Sequence, residues 1–144
     1  MILEVKGIRK TFDKTEILHG ISFTVQSGKA MGFLGRNGAG KTTTFRCLMN
    51  VFKQTEGEFL LDGKPFDVNQ NHIGYLPEER GMYAKVSLKD QLAYFAKLKG
   101  ADNKKAAEEA EYWIDYFGLK EYTNKKLETL SKGNQQKIQI AQAF

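Results

Sequence analysis

The sequence predicts an α/β fold with a strand-rich first part and a helical second part. Three patterns carry this: period-two alternation near the start, a continuous apolar stretch running through a glycine cluster into a helical pattern, and a change to helical spacing from Ser87 onward. Leu3 and Val5 alternate with Glu4 and Lys6, and Ile21, Phe23 and Val25 alternate with Ser22 and Thr24, as half-buried antiparallel strands do. Ala30-Met31-Gly32-Phe33-Leu34 is apolar at consecutive positions, which predicts a strand covered on both faces. Beyond the glycines, Phe45, Leu48, Met49 and Phe52 fall at i, i+3, i+4 and i+7, one face of a helix. Glu58-Phe59-Leu60-Leu61 followed by Asp62-Gly63 predicts a strand entering a hairpin turn, and Ile73-Gly74-Tyr75-Leu76 a further short strand.

Ser87-Leu88-Lys89-Asp90 opens the helical part with an S-x-x-D cap, and Leu88, Leu92 and Phe95 follow at i, i+4 and i+7. Asp102 caps the next helix, which runs from about Asn103 to Phe117 with Ala106, Ala110, Trp113 and Phe117 along one stripe and Gly118 as its stop. A last helix follows Ser131. No linker or internal repeat appears, so the division expected at residues 1–80 and 81–144 is a join between subdomains.

Composition narrows the function classes. The 144 residues carry a net charge of +5, 41% hydrophobic and 27% charged residues, and 2 Pro, which excludes disordered and collagen-like chains. Residues 1–81 hold 11 basic and 9 acidic side chains and residues 82–144 hold 11 and 8, so no basic block marks a nucleic-acid surface. No apolar run approaches the length of a membrane span, no secretory leader is evident, and one cysteine cannot form an internal disulfide. A cytoplasmic setting is the expectation. His19 and His72 read as structural or surface residues.

The chemistry concentrates in Gly35-Arg36-Asn37-Gly38-Ala39-Gly40-Lys41-Thr42, which satisfies G-x-x-x-x-G-K-[ST] between an apolar strand pattern and a helix. Gly35, Gly38 and Gly40 permit backbone shapes that turn successive N–H groups inward at a helix N-terminus, forming an anion nest for phosphates. Lys41 is placed to reach β- and γ-phosphates as a point charge, Thr42 to ligate Mg²⁺ through its hydroxyl, and Thr43 to add a phosphate hydrogen bond.

Leu130-Ser131-Lys132-Gly133-Asn134, followed by Gln135-Gln136-Lys137, resembles the L-S-G-G-Q signature of ABC transporter ATPases, and Ile73-Gly74-Tyr75-Leu76-Pro77-Glu78 resembles their Q-loop. The opening Leu3 to Ile8, the stretch Leu18 to Val25 and the hairpin at Gly57 to Lys64 extend the resemblance over essentially the whole chain. It implies an ABC-type P-loop NTPase fold with an antiparallel β subdomain, a helical subdomain and an incomplete central sheet. It implies that Phe12 stacks on adenine of ATP, and that Ser131 and Gly133 contact the γ-phosphate held by a second, head-to-tail ATPase subunit. Glu78 stands at the position that approaches Mg²⁺ and the attacking water, where the family usually has Gln. Together with Lys132 in the signature, Leu76-Pro77-Glu78-Glu79-Arg80-Gly81 looks like bacterial exporter ATPases whose cargoes include drugs and sodium ions.

The family's Walker B segment, an apolar strand ending in Asp-Glu, and its later histidine are not among these residues. The resemblance therefore implies a fragment of a longer ATP hydrolase, peripheral on the inner face of the membrane and partnered by a transmembrane permease subunit. The alternatives are a soluble ABC-type ATPase not linked to transport, and a nucleotide-binding piece without catalysis. The missing strand would lie beside residues 30–34, so an exposed apolar edge and non-native self-association of the fragment are expected.

Overall fold

The computed structural model describes residues 1–77 and 81–144 and divides into two compact units, Met1–His72 and Ile73–Phe144. In the first unit, strand β1 (Ile2–Phe12) pairs antiparallel with β2 (Thr15–Gln26) on one side and with β3 (Glu56–Leu61) on the other, and β3 pairs with the short β4 (Lys64–Pro65). The sheet order is β2-β1-β3-β4. Asp62 and Gly63 connect β3 to β4 with φ of 50° and 76°, the pair of positive angles that a two-residue hairpin matched to strand twist requires.

Both long strands continue past the stretches where alternation predicts them, because a bulge changes the phase. Val5 pairs with Phe23 and Ile8 with Ile21, so Lys6 and Gly7 face Ser22 alone; Gly7 has a φ of 59° and donates its N–H to the Ser22 hydroxyl at 2.8 Å. An extra residue in left-handed conformation restores inward pointing one position late. Val5 and Ile8 therefore both lie in the core, with Leu18, Cys47 and Phe59, flanked by Leu3, Ile17, Ile21, Phe23, Leu48, Phe52 and Phe66.

Helix α1 (Lys41–Leu48) is shorter than its apolar spacing suggests. Asn50, with a φ of 54°, ends it: its N–H reaches the Cys47 carbonyl at 3.0 Å and the Val51 N–H reaches the Arg46 carbonyl at 2.9 Å, which together close the helix. Phe52 thus packs from beyond the helix, Phe45 is 39% exposed, and Thr44 and Cys47 form the buried face.

Two expected strands are corrected. Residues 30–34 form no strand, and Met31 and Leu34 are exposed, Leu34 almost completely. A strand covered on both faces needs ladder partners and two covering layers, and among the described residues none pairs with this segment. The Phe33 ring lies 5.4 Å from that of Phe23 and 5.5 Å from that of Phe45. Residues 73–76 are likewise irregular. The segment runs against a helix of its own unit, with Gly74 close to the backbone of Ala143 and the Gln139 amide donating to the Pro77 carbonyl at 2.9 Å.

The second unit is built of α2 (Leu88–Leu98), α3 (Asn103–Tyr116) and α4 (Lys132–Ala143). Each begins at the expected cap: Ser87, Asp102 and Ser131 accept from the backbone N–H groups of Asp90, Lys105 and Asn134 at 3.1, 2.8 and 3.3 Å. Gly100 and Gly118, with φ of 97° and 67°, close α2 and α3. Leu88, Leu92, Ala110, Ile114, Leu119, Leu127, Leu130, Ile138 and Ala141 form the core. Ile114, on the same face as Ala106 and Ala110, takes the central place while Trp113 and Phe117 pack at its edge. The Ser87 hydroxyl also donates to the Asp90 carboxylate at 2.6 Å, so Ser87→Ala is expected to lower the stability of this unit by about 1 kcal/mol, read by thermal denaturation.

Candidate functional site

The glycine loop is held from below by the sheet. Gly40 caps α1 in left-handed conformation with a φ of 82°, and a side chain there would collide with Leu18, which is wholly buried on β2. Glycine is required at this position twice over, by the backbone angle and by the contact. The Gly40 carbonyl accepts from both the backbone N–H and the hydroxyl of Thr44, at 2.8 and 2.9 Å. Thr44 is 1% exposed, so this paired bond fixes the first turn of α1 in the interior and leaves the free N–H groups of that turn at the loop. Sequence reasoning passed over Thr44; its place at the third position of the Thr42-Thr43-Thr44 run, one turn after Gly40, was the available signal.

The loop Gly35–Gly40 is exposed at Gly35, Arg36, Asn37, Gly38 and Ala39. It folds on itself through the Ala39 N–H to the Arg36 carbonyl at 3.1 Å. The Lys41 ammonium bridges the carbonyls of Gly35 and Arg36 at 2.6 and 2.9 Å, which brings the single cation of α1's first residue over the start of the loop. Thr42 is exposed and Thr43 half-buried at the helix start. Cys47, one turn further, is buried, and burial pushes its thiol up against a smaller opposing effect of the Lys10 cation.

Phe12 lies at the end of β1, 41% exposed, with the Phe52 ring edge-to-face at 5.1 Å. The Lys10 ammonium sits 4.8 Å from the Phe12 centroid and 5.3 Å from that of Phe52, and donates to the Lys53 carbonyl at 2.6 Å. A ring so braced keeps one orientation while remaining available for stacking. The sequence marks Phe12 alone; Phe52 was hidden because its spacing placed it on α1. On the same hairpin Glu16 accepts from Arg9 at 2.6 Å, and its carboxyl is held below the ordinary range by Arg9 first and then by His19, which accounts for one of the two histidines as a surface partner.

Ser131 and Gly133 belong to the second unit, at the exposed start of α4. The Ser131 hydroxyl serves as the helix cap, and a side chain at Gly133 would meet open space. Glu78, with Glu79 and Arg80, lies outside the described residues. Among the described residues no group of His, Cys, Asp and Glu side chains is clustered to hold a metal, and no helix is long and apolar enough to cross a membrane.

A glycine loop opening a helix that packs on an antiparallel sheet, followed by a three-helix unit, is the arrangement of an α/β P-loop NTPase fold. The chain belongs to the ABC transporter family, whose model matches residues 18–144. It is 44% identical over 143 residues to the uncharacterized ABC transporter ATP-binding protein YhaQ of Bacillus subtilis, covering 99% of this chain and 48% of YhaQ. It is 50% identical over 108 residues to the uncharacterized ABC transporter ATP-binding protein BpOF4_11395 of Alkalihalophilus pseudofirmus, covering 74% of this chain and 40% of the relative. The chain thus spans about half the length of the curated relatives it matches. The fold is that of the solved cbiO1 of Clostridium perfringens, part of the ABC transporter complex cbiONQ, with a TM-score of 0.79 at 22% identity over 98% of this chain and 60% of cbiO1.

Proposed function

We propose that Gly35–Thr43 binds the triphosphate of ATP, and that the whole protein hydrolyses ATP to drive export through a transmembrane permease subunit. The observation that carries this is the loop itself: a left-handed Gly40 locked on Leu18, the first turn of α1 fixed by Thr44, and the Lys41 ammonium gathered onto the loop carbonyls. Incoming phosphate oxygens offer that ammonium a charged partner in place of two neutral ones. Phe12, braced by Phe52, offers the adenine a stacking surface.

Mg²⁺ fits this loop as an ion held mainly by phosphate oxygens. The Thr42 hydroxyl has no hydrogen-bond partner among the described residues and is the proposed protein ligand of an ion that arrives with the nucleotide. The ion would neutralise phosphate charge; Glu78 is proposed as its second protein contact. Ser131 and Gly133 are proposed to meet the γ-phosphate of the nucleotide on a second, head-to-tail subunit, at a helix N-terminus suited to anions. The export direction rests on Leu76 to Gly81 and Lys132 alone. Attachment to the inner membrane face follows from that permease, and residues 1–80 and 81–144 are proposed as the two working subdomains.

A second reading applies to the 144 residues themselves. Because they match about half of each relative and contain no apolar strand ending in Asp-Glu after Ser131, nucleotide binding without turnover is the expected behaviour. The exposed apolar side chains of Met31 and Leu34 are proposed to make this chain self-associate. Calorimetric titration with ATP, with and without Mg²⁺, beside a phosphate-release assay tests both readings. Saturable binding that weakens on chelation, with no phosphate released, is the expected outcome. Absence of saturable heat refutes the phosphate site, and release abolished by Lys41→Ala shows that this chain supplies its own catalytic groups.

A further inference from the structure

The ring of Phe12 carries a cation against it. The Lys10 ammonium lies 4.8 Å from the Phe12 centroid and 5.3 Å from that of Phe52, and the two rings are 5.1 Å apart, so the three groups close a nearly equilateral triangle. Lys10 and Phe52 therefore approach Phe12 from one side and leave the rest of that ring, 41% exposed, open to solvent. The ammonium is pinned there by donating to the Lys53 carbonyl at 2.6 Å. All of these residues belong to the first unit.

Packing alone does not explain the charge. Among the described residues Lys10 forms no ion pair; its partners are one neutral carbonyl and two aromatic rings. A methionine would fill the same space beside Phe12 and Phe52 without withdrawing an ammonium from water. With no carboxylate to offset it, the positive field of Lys10 acts on the rings themselves. A cation held against one side of a ring draws π electrons toward itself and depletes the opposite face. A depleted face stacks best on an electron-rich, polarisable partner, and purines exceed pyrimidines in both respects.

We propose that Lys10 is a specificity-determining residue of the nucleotide site, acting through Phe12 to favour a purine over a pyrimidine base. The inference rests on the reading that Gly35–Thr43 holds the triphosphate and Phe12 the base. Lys10 works at one remove, since it touches the ring and not the nucleotide. The triphosphate is common to all nucleotides, so any general attraction of the ammonium for phosphate cancels in the ratio of two affinities. What remains in that ratio is the base.

The test is calorimetric titration of the 144-residue protein with ATP, UTP and inorganic tripolyphosphate. The parent is expected to prefer ATP to UTP. Lys10→Met keeps the apolar stem and removes the charge, and is expected to lower the ATP-to-UTP affinity ratio about threefold, the size of an exposed cation–π contact. Lys10→Arg, whose guanidinium also stacks on aromatic faces, is expected to keep the ratio. In a Phe12→Leu background, Lys10→Met should leave the ratio unmoved, because the ring that carries the effect is gone. A parent that binds ATP and UTP equally overturns the proposal, as does a ratio that Lys10→Met does not change. An equal fall in Lys10→Arg also overturns it, by showing that packing and not charge sets the ratio, and so does an equal fall in the Phe12→Leu background. Tripolyphosphate separates the two readings. If it binds while the ratio ignores Lys10→Met, the role of Lys10 falls alone; if it does not bind, the phosphate loop falls and this inference with it.

Discussion

Lys41→Ala is expected to lower ATP affinity by about 10- to 100-fold, the range that corresponds to one or two charge-assisted hydrogen bonds. The Lys41 ammonium makes its two bonds to backbone carbonyls, at Gly35 and Arg36, and takes no part in either core cluster. Its removal therefore costs phosphate attraction while the elements that shape the loop stay in place: Gly40 on Leu18, and Thr44 bonded to the Gly40 carbonyl. Alanine also suits the first residue of a helix better than it suits a loop. Calorimetry should show the affinity loss with an unchanged far-ultraviolet spectrum and a melting temperature within a few degrees of the parent. Lys41→Arg is expected to recover little, because the planar guanidinium cannot fold into the same compact position over two carbonyls. An unchanged affinity in Lys41→Ala removes the phosphate role from this residue, and a lost fold would mean that the loop carbonyls depend on the ammonium more than the two bonds suggest.

Much of this site was legible in the sequence because its spacing is local. The eight residues from Gly35 to Thr42 carry their own backbone requirements, and the caps at Ser87, Asp102 and Ser131 satisfy donors three residues away, so neither depends on the rest of the fold. What failed was non-local. Residues 30–34 have the composition of a covered strand, but composition cannot supply the neighbour that a ladder needs, and none is present among the described residues. The bulge at Gly7 was invisible because it shifts the period-two pattern by one, making Ile8 look out of phase with Val5 when both point inward. Phe52 was read as the continuation of α1, which Asn50 stops, and so its contact with Phe12 could not be foreseen. Gln91 gave no signal either: a polar residue between Asp90 and Leu92 on an amphipathic helix reads as surface, and only packing reveals it as buried.

The largest effect on stability is expected at a glycine remote from the loop. Between the pairs Lys6–Glu58 and Arg9–Glu56, β1 carries two residues, Gly7 and Ile8, against the single Gly57 of β3. This makes Gly57 the point where the bulge is closed. Its φ is 85°, and a side chain would stand 2.5 Å from the carbonyl oxygens of both Lys6 and Gly7. Those obstacles are backbone atoms of the central strand, itself tied to β2 through the Gly7 N–H and the Ser22 hydroxyl, so neither can swing away as a side-chain end would. Gly57→Ala thus combines the left-handed penalty of about 1–2 kcal/mol with forced displacement of β1 against β3, and a total loss of about 3 kcal/mol is expected. Val5, Ile8 and Phe59 flank the bulge in the core, so the damage spreads to the layer on which α1 rests. Denaturant unfolding should place the midpoint of the first unit's transition well below the parent's, while the second unit, whose core shares none of these residues, keeps its own. A Gly57→Ala protein as stable as the parent would show that β3 can slide by one residue, and the bulge would lose its role as the fixed point of the sheet.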